Sequence, residues 1–136
     1  TRLCEAKAAD VIAWSVGRAL VVTGSPSDPI AYNGVDYKIG QANNALLYPG
    51  SRFGIVIAKA KTVTDRMLSA AAHGITSLQN LEEAGAAILP PVSQLREASK
   101  LVAAAVIQAA IEDGVNGVEI TDPMEAVEAA IWKAEY

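Results

Sequence analysis

The sequence predicts an α/β fold, rich in helix, with a few mostly parallel strands. Three observations lead there. Ala19-Leu20-Val21-Val22-Thr23 is a continuous apolar run closed by Gly24-Ser25-Pro26, the pattern of a strand buried on both faces of a parallel sheet. Ala45 to Tyr48 reads as a second strand of the same type, ended by Pro49-Gly50. Between and beyond them lie stretches with helical periodicity. The longest carries Leu95, Ala98, Val102, Ala105, Val106, Ala109 and Ala110.

The 136 residues are one domain's worth of chain. Hydrophobic residues make up 51%, which supports a packed core and argues against disorder. Much of that fraction is alanine, suited to close helix packing. The net charge is -4, and an acidic chain with no basic run argues against nucleic acid and anionic membrane as partners. One cysteine, Cys4, excludes an internal disulfide and fits a reducing cytoplasm. One cysteine and one histidine cannot build a Cys/His zinc site. No apolar run approaches membrane-spanning length and no signal peptide opens the chain, so the expected location is cytoplasmic. Thr1 in place of an initiator Met suggests a chain that begins within a domain.

Taken in order, residues 1–15 read as a helix with Leu3, Ala6, Val11, Ile12 and Trp14 as its larger apolar positions. Gly17 ends it as a left-handed cap would. The first strand follows, and its Gly24-Ser25-Pro26 exit lies at the carboxyl edge, where open α/β sheets place ligands. An ordinary strand-ending turn reads equally well there. Pro29 to Tyr37 reads as a hairpin, because Asn33-Gly34 is the strongest short signal for a type I′ turn. Tyr32 and Tyr37 are expected to pack across it rather than to catalyse. After Pro49-Gly50 the chain turns into a helix whose apolar residues (Ile55 to Ala58, Ala60) run almost all round, which predicts burial. Lys59 and Lys61 mark its exit to solvent. Thr64-Asp65 start another helix through Ile75. His73, near its end, has no acid or nucleophile beside it and reads as a helix C-terminal or surface residue.

Leu78 to Pro91 is a polar linker that closes on a double proline. Ser93 is the expected cap of a long helix from Gln94 to Asp113, with Glu112 and Asp113 unfavourably placed at its carboxyl end. Gly114 and Gly117 break that helix, Val118-Glu119-Ile120 reads as a short extended piece, and Asp122-Pro123 opens a last helix that ends near Trp132 and Tyr136.

The stretch with the most chemistry is Gly40-Gln41-Ala42-Asn43-Asn44. An Asn amide both donates and accepts hydrogen bonds without bringing a charge, which suits the mouth of a pocket for a hydroxy acid or an amide ring. Turn formation is the more usual role of Gly and Asn. A glycine-rich dinucleotide fingerprint, a P-loop, an acidic metal cluster and a Ser-His-Asp set are all missing; Glu82-Glu83 reads as a solvated pair. Two confident parallel strands are few for a doubly wound sheet, and the exposed edge would be a liability.

These residues resemble the carboxyl-terminal half of the NAD(P)-binding domain of malic enzymes and the similar malolactic enzymes. The segment Trp14 to Pro26 is similar to the family's run from W-x-x-G-x-A to G-S-P. Gly40-Gln41-Ala42-Asn43-Asn44 with Tyr48-Pro49-Gly50 resembles its G-Q-x-N-N…P-G motif. Leu89-Pro90-Pro91, Arg96-Glu97-Ala98-Ser99 and Trp132 to Tyr136 are similar to its closing helices, and Thr1 to Ala6 resembles the stretch after its Ser-Asn-Pro-Thr turn.

The resemblance implies a partial Rossmann-like NAD(P)-binding domain over residues 1–136, the carboxyl-terminal half of an oxidoreductase that decarboxylates L-malate to pyruvate and CO2. It implies NAD (or NADP), and Mn or Mg in the intact enzyme with the metal ligands outside this chain. Asn43 would bind malate and the nicotinamide region with Asn44 supporting it, and Gly24 and Ser25 would border the cofactor cleft. No catalytic or metal-binding residue is placed in this chain, so it should not turn over alone, and the intact enzyme is expected to be a homo-oligomer. Two alternatives stand beside this reading: a malolactic enzyme giving lactate, and a non-catalytic binding or assembly module. Against the family's small, apolar run after Pro-Gly, this chain has Ser51-Arg52-Phe53, which puts a charge near a buried helix start. Leu78 to Ala84 looks like a variable loop.

Overall fold

A computed structural model describes residues 5–132. The order is helix α1 (Ala8–Trp14), strand β1 (Val22–Thr23), strands β2 (Ile30–Tyr32) and β3 (Val35–Tyr37), strand β4 (Gly40–Gln41), and helices α2 (Tyr48–Ala58), α3 (Asp65–Thr76), α4 (Leu95–Glu112) and α5 (Pro123–Ala130). It is a helix-rich α/β arrangement, as the sequence predicts. β1 and β4 pair in parallel, and β2 and β3 form the antiparallel hairpin inserted between them. No described helix is long and apolar enough to cross a membrane.

The core lies among the helices. α4 is its centre and packs on α2, α3 and α5, burying Val102, Ala103, Val106, Ile107 and Ala110 against Leu46, Ala58, Met67, Ala71 and Val127. Small residues set the spacing. A Cβ on Gly50 would lie 2.6 Å from the Ser99 carbonyl oxygen, and one on Gly54 2.6 Å from that of Ala103. With Ala58 they form an i, i+4, i+8 stripe on one face of α2, so the two helix backbones meet almost directly.

Local signals explain most boundaries. Asn33 (φ 48°) and Gly34 (φ 78°) both take positive φ, the type I′ requirement. Tyr32 and Tyr37 pack edge-to-face with ring centroids 6.4 Å apart; the register opposes Tyr32 to Val35 and Ile30 to Tyr37, so they are diagonal neighbours on one face. α1 ends on two positive-φ residues, Val16 and Gly17, with the Gly17 N–H donating to Ile12 O at 2.9 Å. Thr64 caps α3 by accepting from the Met67 N–H, and Asp122 caps α5 by accepting from Met124 and Glu125.

Several expectations are corrected. The first strand has two residues rather than five and is not buried on both faces: Leu20 is 59% and Val22 37% exposed, because among the described residues only β4 pairs with it. Ala45 to Tyr48 is no strand. Asn44–Leu46 is a 3₁₀ turn and Tyr48 begins α2; four apolar residues cannot distinguish a strand from a helix start, and a proline in the first helical turn favours the helix. The parallel partner of β1 is Gly40–Gln41, at the head of the motif. α2 is buried along its Gly-Gly-Ala stripe only, and Val56 is 70% exposed. Arg52 extends over the Tyr48 ring at 5.9 Å from its centroid, on the outer face, so its charge does not enter the core.

Ser93 does not cap α4. It sits inside a 3₁₀ turn, Val92–Gln94, and Gln94 precedes the helix without a side-chain cap. Asp113, unfavourable by the helix dipole alone, is held by Arg66 Nε at 2.7 Å and by the Thr64 hydroxyl at 2.5 Å. Val118-Glu119-Ile120 forms no strand. The loop after α3 docks on the hairpin, with the Lys38 N–H donating to Gly85 O at 2.8 Å and a Lys38–Glu83 ion pair at 3.3 Å. Expectations for Thr1 to Cys4 and for Lys133 to Tyr136 lie outside the described residues.

Candidate functional site

Parallel pairing decides where the site lies. β1 and β4 match Val22 to Gly40 and Thr23 to Gln41, so both strands finish at the same edge. The Gly40 N–H donates to Val21 O at 3.2 Å, and the Ala42 N–H to Thr23 O at 2.9 Å. Gly24-Ser25 therefore leaves β1 beside the point where Asn43-Asn44 leaves β4. Residues far apart in the sequence become neighbours through the ladder.

Each turn is braced. The Thr23 hydroxyl donates to Ser25 O at 2.8 Å, and Gln41 Nε2 to Gly24 O at 3.4 Å. Asn43 is extended (φ −117°, ψ 127°), and its Oδ1 accepts from the Ala45 N–H at 2.9 Å. The turn reading of the motif is thus correct, and it uses the Asn43 oxygen. The amide N–H groups of Asn43 make no hydrogen bond among the described residues and remain donors for a ligand. Asn44 is exposed and opens the 3₁₀ turn; its backbone carbonyl accepts from the Leu47 N–H at 3.2 Å.

Two cavities flank this edge. One of about 580 Å³ lies between α1 and β1, walled by Glu5, Lys7, Val11, Val22, Gly24 and Ser25 among others. The other, about 350 Å³, includes Pro26, Ser27, Lys38, Gln41, Gln79 and Pro91. Both are in the size range of small-molecule sites. Asn43 and Asn44 line neither. The structure thus brings the four predicted residues to one edge, and only Gly24 and Ser25 wall a cavity.

A Cβ on Gly24 would meet nothing within 4 Å, so the backbone at this position faces open space and leaves room for a ligand to approach. The residues do not fit a divalent metal: no group of three or more His, Cys, Asp or Glu suited to an ion occurs among the described residues. Thr23 and Gln41 are site residues that the sequence reading missed. Gln41 stands in the Gly-Gln-x-Asn-Asn motif and Thr23 ends the first apolar run, but their common place becomes legible only once the register pairs them.

The family described as malic enzyme, NAD binding domain, matches residues 1–111. The malolactic enzyme of Leuconostoc mesenteroides is 48% identical over the whole chain, which covers 25% of that protein. The NAD-dependent malic enzyme 3 of Bacillus subtilis is 46% identical, with 24% of it covered. The NAD-dependent malic enzyme of Aliivibrio fischeri is 41% identical over 139 aligned positions, with 25% covered. The chain therefore spans about a quarter of the length of these curated relatives.

Proposed function

The chain belongs to the malic enzyme NAD-binding domain family, and from that premise we propose that it is the carboxyl-terminal part of the NAD-binding domain of a malate-decarboxylating oxidoreductase. The intact protein converts L-malate to pyruvate and CO2 as NAD is reduced. When bound, NAD would supply the hydride acceptor, and a divalent metal, held by residues outside this chain, would supply the Lewis acid. The observation that carries the reading is the shared carboxyl edge of β1 and β4, which sets the turn that begins at the open Gly24 beside the segment of Asn43 and Asn44.

The roles follow from the chemistry of those groups. Gly24 and Ser25 border the cofactor: both wall the cavity beside β1, and at Gly24 backbone without a Cβ lets a bulky ligand approach. Asn43 directs its amide N–H groups at a malate oxygen, orienting the substrate without competing with the metal for it. Asn44 supports that turn. The acid/base and metal groups lie elsewhere in the protein, so the isolated 136-residue chain has no turnover.

A second reading, a malolactic enzyme that releases lactate, is favoured by the 48% identity to the Leuconostoc protein. One experiment separates the possibilities. Full-length protein is incubated with L-malate, NAD and Mn²⁺, and products are identified by chromatography. Pyruvate with reduced NAD supports the malic reading, whereas lactate without net NAD reduction selects the malolactic one. Absence of both products, together with no binding of NAD or malate in titration calorimetry, leaves a non-catalytic assembly module and removes the enzyme reading. An unchanged turnover number for the 136-residue chain alone would overturn the assignment of the catalytic groups elsewhere.

A further inference from the structure

Thr23 and Gln41 are opposite one another in the final register pair of β1 and β4. Their side chains donate to consecutive carbonyls of the same turn: Thr23 Oγ1 to Ser25 O at 2.8 Å, Gln41 Nε2 to Gly24 O at 3.4 Å. Both contacts are solvent-accessible in part, and such bonds add little to stability. Their effect is geometric. A peptide oxygen carries lone pairs, and a carboxylate or phosphate brought beside it is repelled. Here each of the two carbonyl oxygens is turned toward a protein donor.

The Gln41 bond also spans the two strands. It links the turn after β1 to the segment that continues into Asn43, one residue beyond Ala42, whose N–H is tied to Thr23 O. One cross-strand side chain and one backbone bond thus join the two turns beyond the end of the ladder.

We propose that Thr23 and Gln41 are positioning residues that hold the Gly24-Ser25 turn, with its carbonyls engaged, at a fixed distance from Asn43. This rests on the malate-decarboxylating reading, in which Gly24-Ser25 borders the cofactor and Asn43 meets the substrate. Hydride transfer requires the two ligands to be in register, and small misplacements cost rate more than binding.

The test uses full-length protein with Gln41→Met and Thr23→Val, near-isosteric changes that delete the donors. In each, kcat for L-malate falls about tenfold, while KM for malate and for NAD changes less than about threefold. The deuterium isotope effect on kcat, measured with malate labelled at the carbinol carbon, rises as hydride transfer becomes rate-limiting. Thermal midpoints stay at the wild-type value. The double variant loses no more than about twofold beyond the worse single one, because both bonds brace one turn. Gln41→Met also speeds amide hydrogen exchange in the peptide covering residues 24–27. A kcat within about twofold of wild type, or a loss that only tracks a lowered thermal midpoint, overturns the proposal. Wild-type protein that makes neither pyruvate nor lactate removes the functional reading instead. The brace is then judged by hydrogen exchange alone, and unchanged exchange at residues 24–27 overturns it.

Discussion

The two ends of the Asn43 amide have different surroundings. Its oxygen accepts from the Ala45 N–H and starts the 3₁₀ turn, while its N–H groups make no hydrogen bond among the described residues and, in the proposed function, meet malate. Substitutions can separate these roles. Asn43→Asp keeps the capping oxygen, so denaturant unfolding should change by less than about 0.5 kcal/mol. It removes the donors and adds a charge that repels a dicarboxylate, so malate affinity in calorimetry should fall at least about tenfold. Asn43→Ala should lose both, with stability down by about 0.5–2 kcal/mol. Glycines sort the same way. Gly54→Ala forces a Cβ to 2.6 Å from Ala103 O and should cost about 1–3 kcal/mol in urea unfolding. Gly24→Ala meets no protein atom within 4 Å, so stability should hold or rise by about 0.4–1 kcal/mol while the NAD dissociation constant increases. Equal destabilisation by both would show that Gly24 serves packing rather than a ligand.

Among the elements, α3 is anchored at its amino end by a side chain with two partners. Thr64 accepts from the Met67 N–H at 3.2 Å and donates to Asp113 at the far end of α4. Arg66 reaches the same aspartate, which is 19% exposed. Thr64→Ala removes the cap and one of Asp113's partners together, and should cost about 1–2 kcal/mol in chemical denaturation. A double-mutant cycle of Thr64→Ala with Asp113→Ala should show a coupling of at least about 0.5 kcal/mol; additivity would mean that the contact contributes nothing. The cap on α3 was legible in the sequence because Thr-Asp before an apolar period is a local signal. The use of Asp113 was not, since its partners are 49 and 47 positions away. The same contrast holds for the motif after β4. Its Gly and Asn residues announced a turn, but a four-residue apolar run gave no local means of choosing strand or helix, and that choice was made by Asn43 capping Ala45 and by Pro49 in the first turn of α2.

At the scale of the molecule, stability is unevenly distributed. α4 is enclosed by α2, α3 and α5, with Val102, Val106 and Ile107 essentially inaccessible, whereas Trp14 is 74% exposed and β1 has two residues in its ladder. Hydrogen exchange on the 136-residue chain should therefore be slowest in α4 and fast from α1 through β1. Ile107→Ala should cost about 2–5 kcal/mol and unfold the helical part as a unit; slowest exchange in β1 would contradict this distribution. The sequence by itself determined the helix-rich α/β class, the hairpin at Asn33-Gly34, the caps at Thr64 and Asp122 and the family, because each rests on residues close together along the chain. Only the tertiary structure decided that Gly40–Gln41 is the partner of β1, that α2 buries one narrow stripe, and that Thr23 and Gln41 brace a common turn. Those depend on register and helix approach, which join residues far apart in sequence and leave no local periodicity to read.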